Sequence, residues 1–218
     1  MALLDKRAAI GLDPTKAEIL KVSGQSLGDT IYAIDVVEKW KQNIIDTLKV
    51  WHKENPLKLG VLSKELHNRT VSFLSTKAFE SLIKELCFQE QILSKGQFLR
   101  HFDFQVNLSE TQETQVQQTM DRLLQSAWEG INISEITELP REVLQYLIDS
   151  EKVIRIQSQI LHPKMIEKLI TCLGSFFSTH KEMTTAEFKE ITKLSRKYLI
   201  PLLEWCDHQG ITLRKGNS

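Results

Sequence analysis

Ser195, Arg196 and Lys197 stand together at the start of a candidate helix, with Lys193 just before them, Tyr198 just after, and Arg214 and Lys215 beyond the helix end. Ammonium and guanidinium groups clustered in this way bind phosphate oxygens, and the free N–H groups of a first helical turn favour the same ligands. From Lys193 onward the chain carries five cations (Lys193, Arg196, Lys197, Arg214, Lys215) against two anions (Glu204, Asp207). Over the whole chain 28 Lys and Arg balance 28 Asp and Glu, so any polyanion site is local. Tyr198 offers a ring for base stacking, but its position in the repeat described below also holds Phe79, which favours core packing.

Other chemistry finds no support in residue spacing. The six histidines never fall in H-x-x-x-H or H-E-x-x-H spacing, and no cysteine lies within four residues of another, which argues against a zinc site. No glycine is followed by Lys-Ser or Lys-Thr, and neither G-x-G-x-x-G nor G-x-S-x-G occurs, so a P-loop, a dinucleotide fold and a hydrolase elbow are excluded. The carboxylates Glu187 and Glu190 share a helix with Lys189 and Lys193 and read as a solvated, paired face. The chain is therefore not expected to be an enzyme, and no cofactor or metal is implied. Three cysteines without a C-x-x-C pair point to a reducing compartment, with Cys87 and Cys206 packing in a core. No apolar run of membrane-spanning length and no signal-type segment occur, so a cytoplasmic protein without a membrane partner is expected.

The elements that must position the cations recur. Ser195–Ile211 aligns without gaps with Thr76–Ile92 and Thr137–Val153, at a spacing of roughly 60 residues. Each copy opens on Ser or Thr, expected to cap a helix, and closes on a β-branched residue, expected to start a strand. Between these ends the shared apolar positions are Phe79/Pro140/Tyr198, Leu82/Val143/Pro201, Ile83/Leu144/Leu202, Leu86/Leu147/Trp205 and Cys87/Ile148/Cys206, one face of an α-helix. Pro201 interrupts that face, and without an N–H it is expected to bend the first turn, and with it Arg196 and Lys197, away from the rest.

Upstream of each copy an amphipathic stretch reads as a first helix: Asp35–His52, Glu110–Ala127 and Pro163–Ser178. Short extended and helical pieces follow at Leu59–Leu66 and Met183–Phe188. Downstream, Ile92–Leu99, Val153–Leu161 and Ile211–Gly216 read as strand, turn, strand. Helix, strand, helix, helix and a two-stranded wing make a winged-helix domain, so the fold class is mostly α with short β wings (α+β), a tandem of winged-helix domains in an elongated arrangement. Four domains are expected: 1–36 as a remnant, with strands at Ile19–Val22 and Thr30–Ile34 flanking a turn at Ser23–Ser26, then 37–105, 106–161 and 162–218. Beginning in mid-repeat suggests a fragment of a longer chain. The third domain fits least well, because Gly130–Ile136 leaves little room for a second helix.

The run Phe188–Trp205, above all Ser195-Arg196-Lys197-Tyr198 with Ile200-Pro201-Leu202-Leu203-Glu204, resembles the C-terminal region of SelB, the bacterial selenocysteine-specific translation elongation factor. Asp207, Gly210, Ile211, Thr212 and Arg214, and the distant Asn55-Pro56-Leu57 after Trp51-His52-Lys53-Glu54, extend the likeness. The resemblance implies an arm that binds the selenocysteine insertion hairpin of a messenger RNA through its last winged helix and links it to a factor on the ribosome, directing selenocysteine to UGA. The GTPase would lie outside this chain. It further implies RNA contacts from Ser195, Arg196, Lys197, Arg214 and Lys215; with Lys193 and Tyr198 from the basic cluster these are the candidate RNA-binding residues, and a monomer is expected. Two other classes fit the residues alone: a tandem winged-helix DNA-binding regulator, and an arm that docks on protein or ribosome without sequence preference. Against the first, only one of the three copies has a basic helix start.

Overall fold

The computed structural model describes residues 24–216, which fall into two compact units divided between Asn107 and Leu108. The first unit opens with a hairpin, β1 (Gln25–Leu27) and β2 (Thr30–Tyr32), paired through Gln25 with Tyr32 and Leu27 with Thr30. Its turn is Gly28-Asp29, with Gly28 at φ +59, so the turn expected at Ser23–Ser26 is displaced. Only glycine reaches that angle without strain, and the earlier Gly24 does not adopt it. The strand expected at Ile19–Val22 lies outside the described residues.

A helix–strand–helix–helix–hairpin unit follows: α1 (Ile34–Glu54), β3 (Val61–Leu62), α2 (Ser63–Thr70), α3 (Thr76–Phe88), β4 (Ile92–Lys95) and β5 (Phe98–His101). The strands form one antiparallel sheet in the order β3-β5-β4, with Val61 opposite Leu99 and Ile92 opposite His101. Helix α1 buries Val37, Trp40, Ile44, Leu48 and Trp51, a stripe at helical period that meets Phe79, Leu82 and Leu86 of α3 in one core. Leu27 of the hairpin lies 1% exposed in that same core. Lys41 is buried in the midst of it. Burial alone would lower its pKa, but ion pairs with Glu38 at 2.7 Å and Glu85 at 2.6 Å outweigh this and hold the ammonium above its ordinary value.

The second unit repeats the plan with α4 (Glu110–Gln125), β6 (Ile131–Asn132), a single 3-10 turn (Ile133–Glu135), α5 (Arg141–Asp149), β7 (Ile154–Ile156) and β8 (Gln159–Leu161). The 3-10 turn fills the space too short for a second helix. Its sheet has the matching order β6-β8-β7. Gly60 and Gly130 each precede the first strand of their sheet. A Cβ on either would stand 2.6 Å from a carbonyl oxygen of the paired strand, Leu99 in one case and Ile160 in the other. Three further helices follow, α6 (Pro163–Phe177), α7 (Thr185–Thr192) and α8 (Arg196–His208). Pro163 takes the first helical position, and Thr184 caps α7 in a reciprocal box with Glu187. Their core joins Leu169, Phe188, Leu199, Leu202 and Cys206 to Ile156 of the preceding hairpin, and burial pushes the Cys206 thiol up to about 11. Tandem winged-helix architecture, mostly α with short strands, is thus the fold of the chain.

Ile211–Gly216 forms no strand, contrary to the wing expected there. A wing strand needs an antiparallel partner, and among the described residues no strand follows Leu161.

Candidate nucleic-acid interface

All three repeated helices stop in the same way. A residue at positive φ (Glu90, Glu151, Gly210) follows each helix, and its N–H and the next one turn back onto carbonyls of the last turn: Glu90 to Cys87 and Gln91 to Leu86, Glu151 to Ile148 and Lys152 to Leu147, Gly210 to Asp207 and Ile211 to Cys206. These are Schellman stops. Counted back from them, the third copy is one residue out of the gapless alignment: Ser195 faces Ser75, Leu199 faces Phe79, Leu202 faces Leu82 and Cys206 faces Leu86. The burial agrees, since Leu199, Leu202 and Cys206 are buried whereas Tyr198, Pro201 and Trp205 are only half-buried. The shared apolar position given to Tyr198 and Pro201 is therefore corrected.

The capping residues are corrected as well. Ser75, not Thr76, caps α3 by accepting from the Ala78 N–H at 3.2 Å. Pro140 occupies the cap position of α5, leaving Thr137 outside the helix. Ser195 does stand at the cap of α8, but its side chain accepts nothing from the first turn. Pro201 lies within α8, whose helical course is unbroken from Arg196 to His208.

The expected site residues are distributed as follows. Lys193 ends α7 in the left-handed region at φ 58, donates its N–H to the Lys189 carbonyl at 2.7 Å, and projects from the turn between the two helices. Buried Leu194 anchors that turn, and Ser195, Arg196 and Lys197 are exposed after it. The Lys197 ammonium sits 5.1 Å from the Tyr198 ring centroid. Tyr198 itself lines a cleft of about 100 Å³ together with Trp128, Gln157, Ser158, Lys197 and Pro201. Beyond the helix, Thr212 donates to Asp207, while Lys215 pairs with Glu182 at 2.7 Å, both side chains solvent-exposed. Exposed Arg214 lies beside Lys215 in the segment after the helix.

In the corrected register Lys197 corresponds to Lys77 and to Glu138. Lys77 is held by Asp29 at 3.2 Å, an acid of the β1–β2 turn. Glu138 is held by Arg122 and by the Thr119 hydroxyl; burial would raise its carboxyl, but the hydrogen bond from its own backbone, with Arg122 and Thr119, holds it below the ordinary range. Among the described residues neither Arg196 nor Lys197 enters an ion pair. The reason is visible in the hairpins. Gln157, at φ 52, stands where Gly28 stands, and Ser158 where Asp29 stands, so the turn bordering α8 brings a hydroxyl in place of a carboxylate. Residue spacing did not expose Trp128, Gln157 or Ser158, because they belong to the domain before the one with the basic helix.

Residues 45–100 and 175–218 each match a family model described as "Elongation factor SelB, winged helix". Both segments belong to the SelB winged-helix family. A selenocysteine-specific elongation factor of Desulfomicrobium baculatum is 24% identical over 196 residues, covering 84% of this chain. The chain spans 30% of that relative's length. The crystal structure of bacterial selenocysteine-specific elongation factor EF-Sec is similar over 91% of this chain and 32% of that chain, at 21% identity and a TM-score of 0.48. The described residues contain no group of three His, Cys, Asp or Glu placed to hold a metal ion, and no helix long and apolar enough to cross a membrane.

Proposed function

We propose that this chain is the RNA-binding arm of a cytoplasmic selenocysteine-specific elongation factor, with the selenocysteine insertion hairpin of the messenger as its ligand. In this reading 37–105, 106–161 and 162–218 are successive winged helices after the remnant 1–36. The last one binds RNA as a monomer on the ribosome, and the GTPase belongs to the parent factor. The observation that carries the reading is the exposed, unpaired start of α8, where the corresponding charges, Lys77 of α3 and Glu138 ahead of α5, are neutralised within the protein. The Ser195 side chain leaves the Arg196 and Lys197 N–H groups to an outside acceptor, with Lys193, Arg196 and Lys197 supplying charge beside them. Arg214 and Lys215 extend the cationic surface, with Lys215 exchanging Glu182 for a phosphate. An RNA duplex presents side chains with little to read in its narrow major groove, so the contacts fall on phosphates and on unstacked loop bases, for which Tyr198 provides a ring.

Arg196→Gln or Lys197→Gln weakens binding of the hairpin in a filter titration, while Lys77→Gln leaves it unchanged. Equal losses at the three positions sink the assignment. A hairpin and a DNA duplex of equal charge, competed at fixed salt, separate RNA recognition from a DNA regulator and from unspecific docking.

A further inference from the structure

An open cleft of about 580 Å³ in the first unit is lined by Lys49, His52 and Lys53 of α1 and by Phe104, Gln105 and Asn107 after β5. His52 is 5% exposed and held on three sides. Its Nε2 accepts the His101 backbone N–H at 3.1 Å, Phe104 stacks on it with centroids 3.7 Å apart, and Trp51 meets it edge-on at 5.3 Å. Because Nε2 accepts, the proton of the neutral ring is on Nδ1. That Nδ1–H is buried and has no hydrogen-bond partner, which a folded protein rarely leaves without a use. His52 lines the cleft beside two exposed lysines one helical turn, about 6 Å, apart. Gln105 and Asn107 bring amide donors, and Asp103 is the carboxylate on the rim.

We infer that this cleft is a second RNA site, taking the phosphates of a single strand on Lys49 and Lys53 with a base over the half-buried Phe104 edge. Two cations in a row suit a chain of charges, and the aromatic ring selects a strand with bases over an acidic peptide, which has nothing to stack. The inference is independent of the site on α8.

The test uses the full chain carrying Arg196→Gln and Lys197→Gln, so that the α8 site is silent, with a labelled 12-residue oligouridylate as probe. Adding Lys49→Gln and Lys53→Gln, both exposed and harmless to folding, is expected to lower the remaining affinity and to flatten the slope of log affinity against log salt by about 1.4, two contacts at about 0.7 each for a single strand. Addition of the oligonucleotide is also expected to shift the His52 ring nitrogens in an imidazole NMR spectrum of the parent, and not of the doubly substituted cleft. Unchanged affinity and slope overturn the proposal. So does a polyglutamate of equal charge that competes as well as the oligonucleotide, since that assigns the cleft to acidic protein. Loss of hairpin binding on substitution of Arg196 and Lys197 is read separately, so the two assignments fail independently.

Discussion

Ser158 and Asp29 hold corresponding places in two hairpin turns, and the difference between hydroxyl and carboxylate decides whether the lysine below is neutralised. Ser158→Asp is expected to pair with Lys197 and to weaken hairpin binding in low salt, with no change in melting temperature beyond the small effect of an exposed pair, at most about 1 kcal/mol. A binding curve that does not move would show that Lys197 contributes no phosphate contact. Glu182→Gln acts in the opposite direction, releasing Lys215 and raising affinity modestly. His52 carries the clearest pH signature. Burial pushes its pKa down to about 4, with His101 and Arg100 adding repulsion, while Lys49, Lys53 and Asp103 border the same cleft. The folded state therefore favours the neutral ring. The stability from His52 is complete above its ordinary value of about 6.5 and is lost as pH falls from there through about 4, up to about 3 kcal/mol in all. Urea midpoints measured between pH 7 and 4 should fall accordingly, and His52→Gln should flatten the profile.

Gly60→Ala and Gly130→Ala are each expected to cost about 1–3 kcal/mol, because a methyl group 2.6 Å from a backbone carbonyl must part the first strand from the third. Thermal melts test this, and an unchanged melting temperature for either would mean the sheet edge yields freely. The helices of this architecture were largely readable in advance: first helices predicted at Asp35–His52, Glu110–Ala127 and Pro163–Ser178 are found at Ile34–Glu54, Glu110–Gln125 and Pro163–Phe177. Apolar periodicity over several turns is a redundant signal, so one misplaced residue does little harm. Short elements lack that redundancy. The hairpin turn moved to Gly28-Asp29, the last wing formed no strand, and two of the three caps fell one residue or more away, because each depends on a single dihedral angle or a single partner. The register of α8 was misread for a related reason: Tyr198, Pro201 and Trp205 are apolar enough to mimic a core face, yet Tyr198 and Pro201 border the cleft and Trp205 is only half-buried at the edge of the core.

At the scale of the molecule the charge balance conceals its own arrangement. The sum over 218 residues is zero, but Lys193, Arg196 and Lys197 stand together and exposed around the start of α8, and among the described residues neither Arg196 nor Lys197 enters an ion pair. With four to six phosphate contacts, log affinity for the hairpin should fall with log salt at a slope of about −3 to −5, and each of Arg196→Gln and Lys197→Gln should reduce the slope by nearly one. A slope unaffected by either change would place the contacts elsewhere. The basic run alone singled out the start of α8 as the candidate. The hairpin turn beside it was not legible, because Ser158 is unremarkable until it is seen to replace an acid.

The matched Schellman stops give the repeat a fixed end from which to measure. Counted from that end, Thr76 and Lys77 of α3 are the counterparts of Arg196 and Lys197. Thr76→Arg with Asp29→Ser is thus the pair of changes that would transplant the binding surface into the first unit. The same transplant guided by the gapless alignment would put the arginine at Lys77 and the lysine at Ala78, which is buried, turning the new charges about 100° round the helix and into the core. For anyone recombining these domains, the ruler has to be laid from where the helix stops.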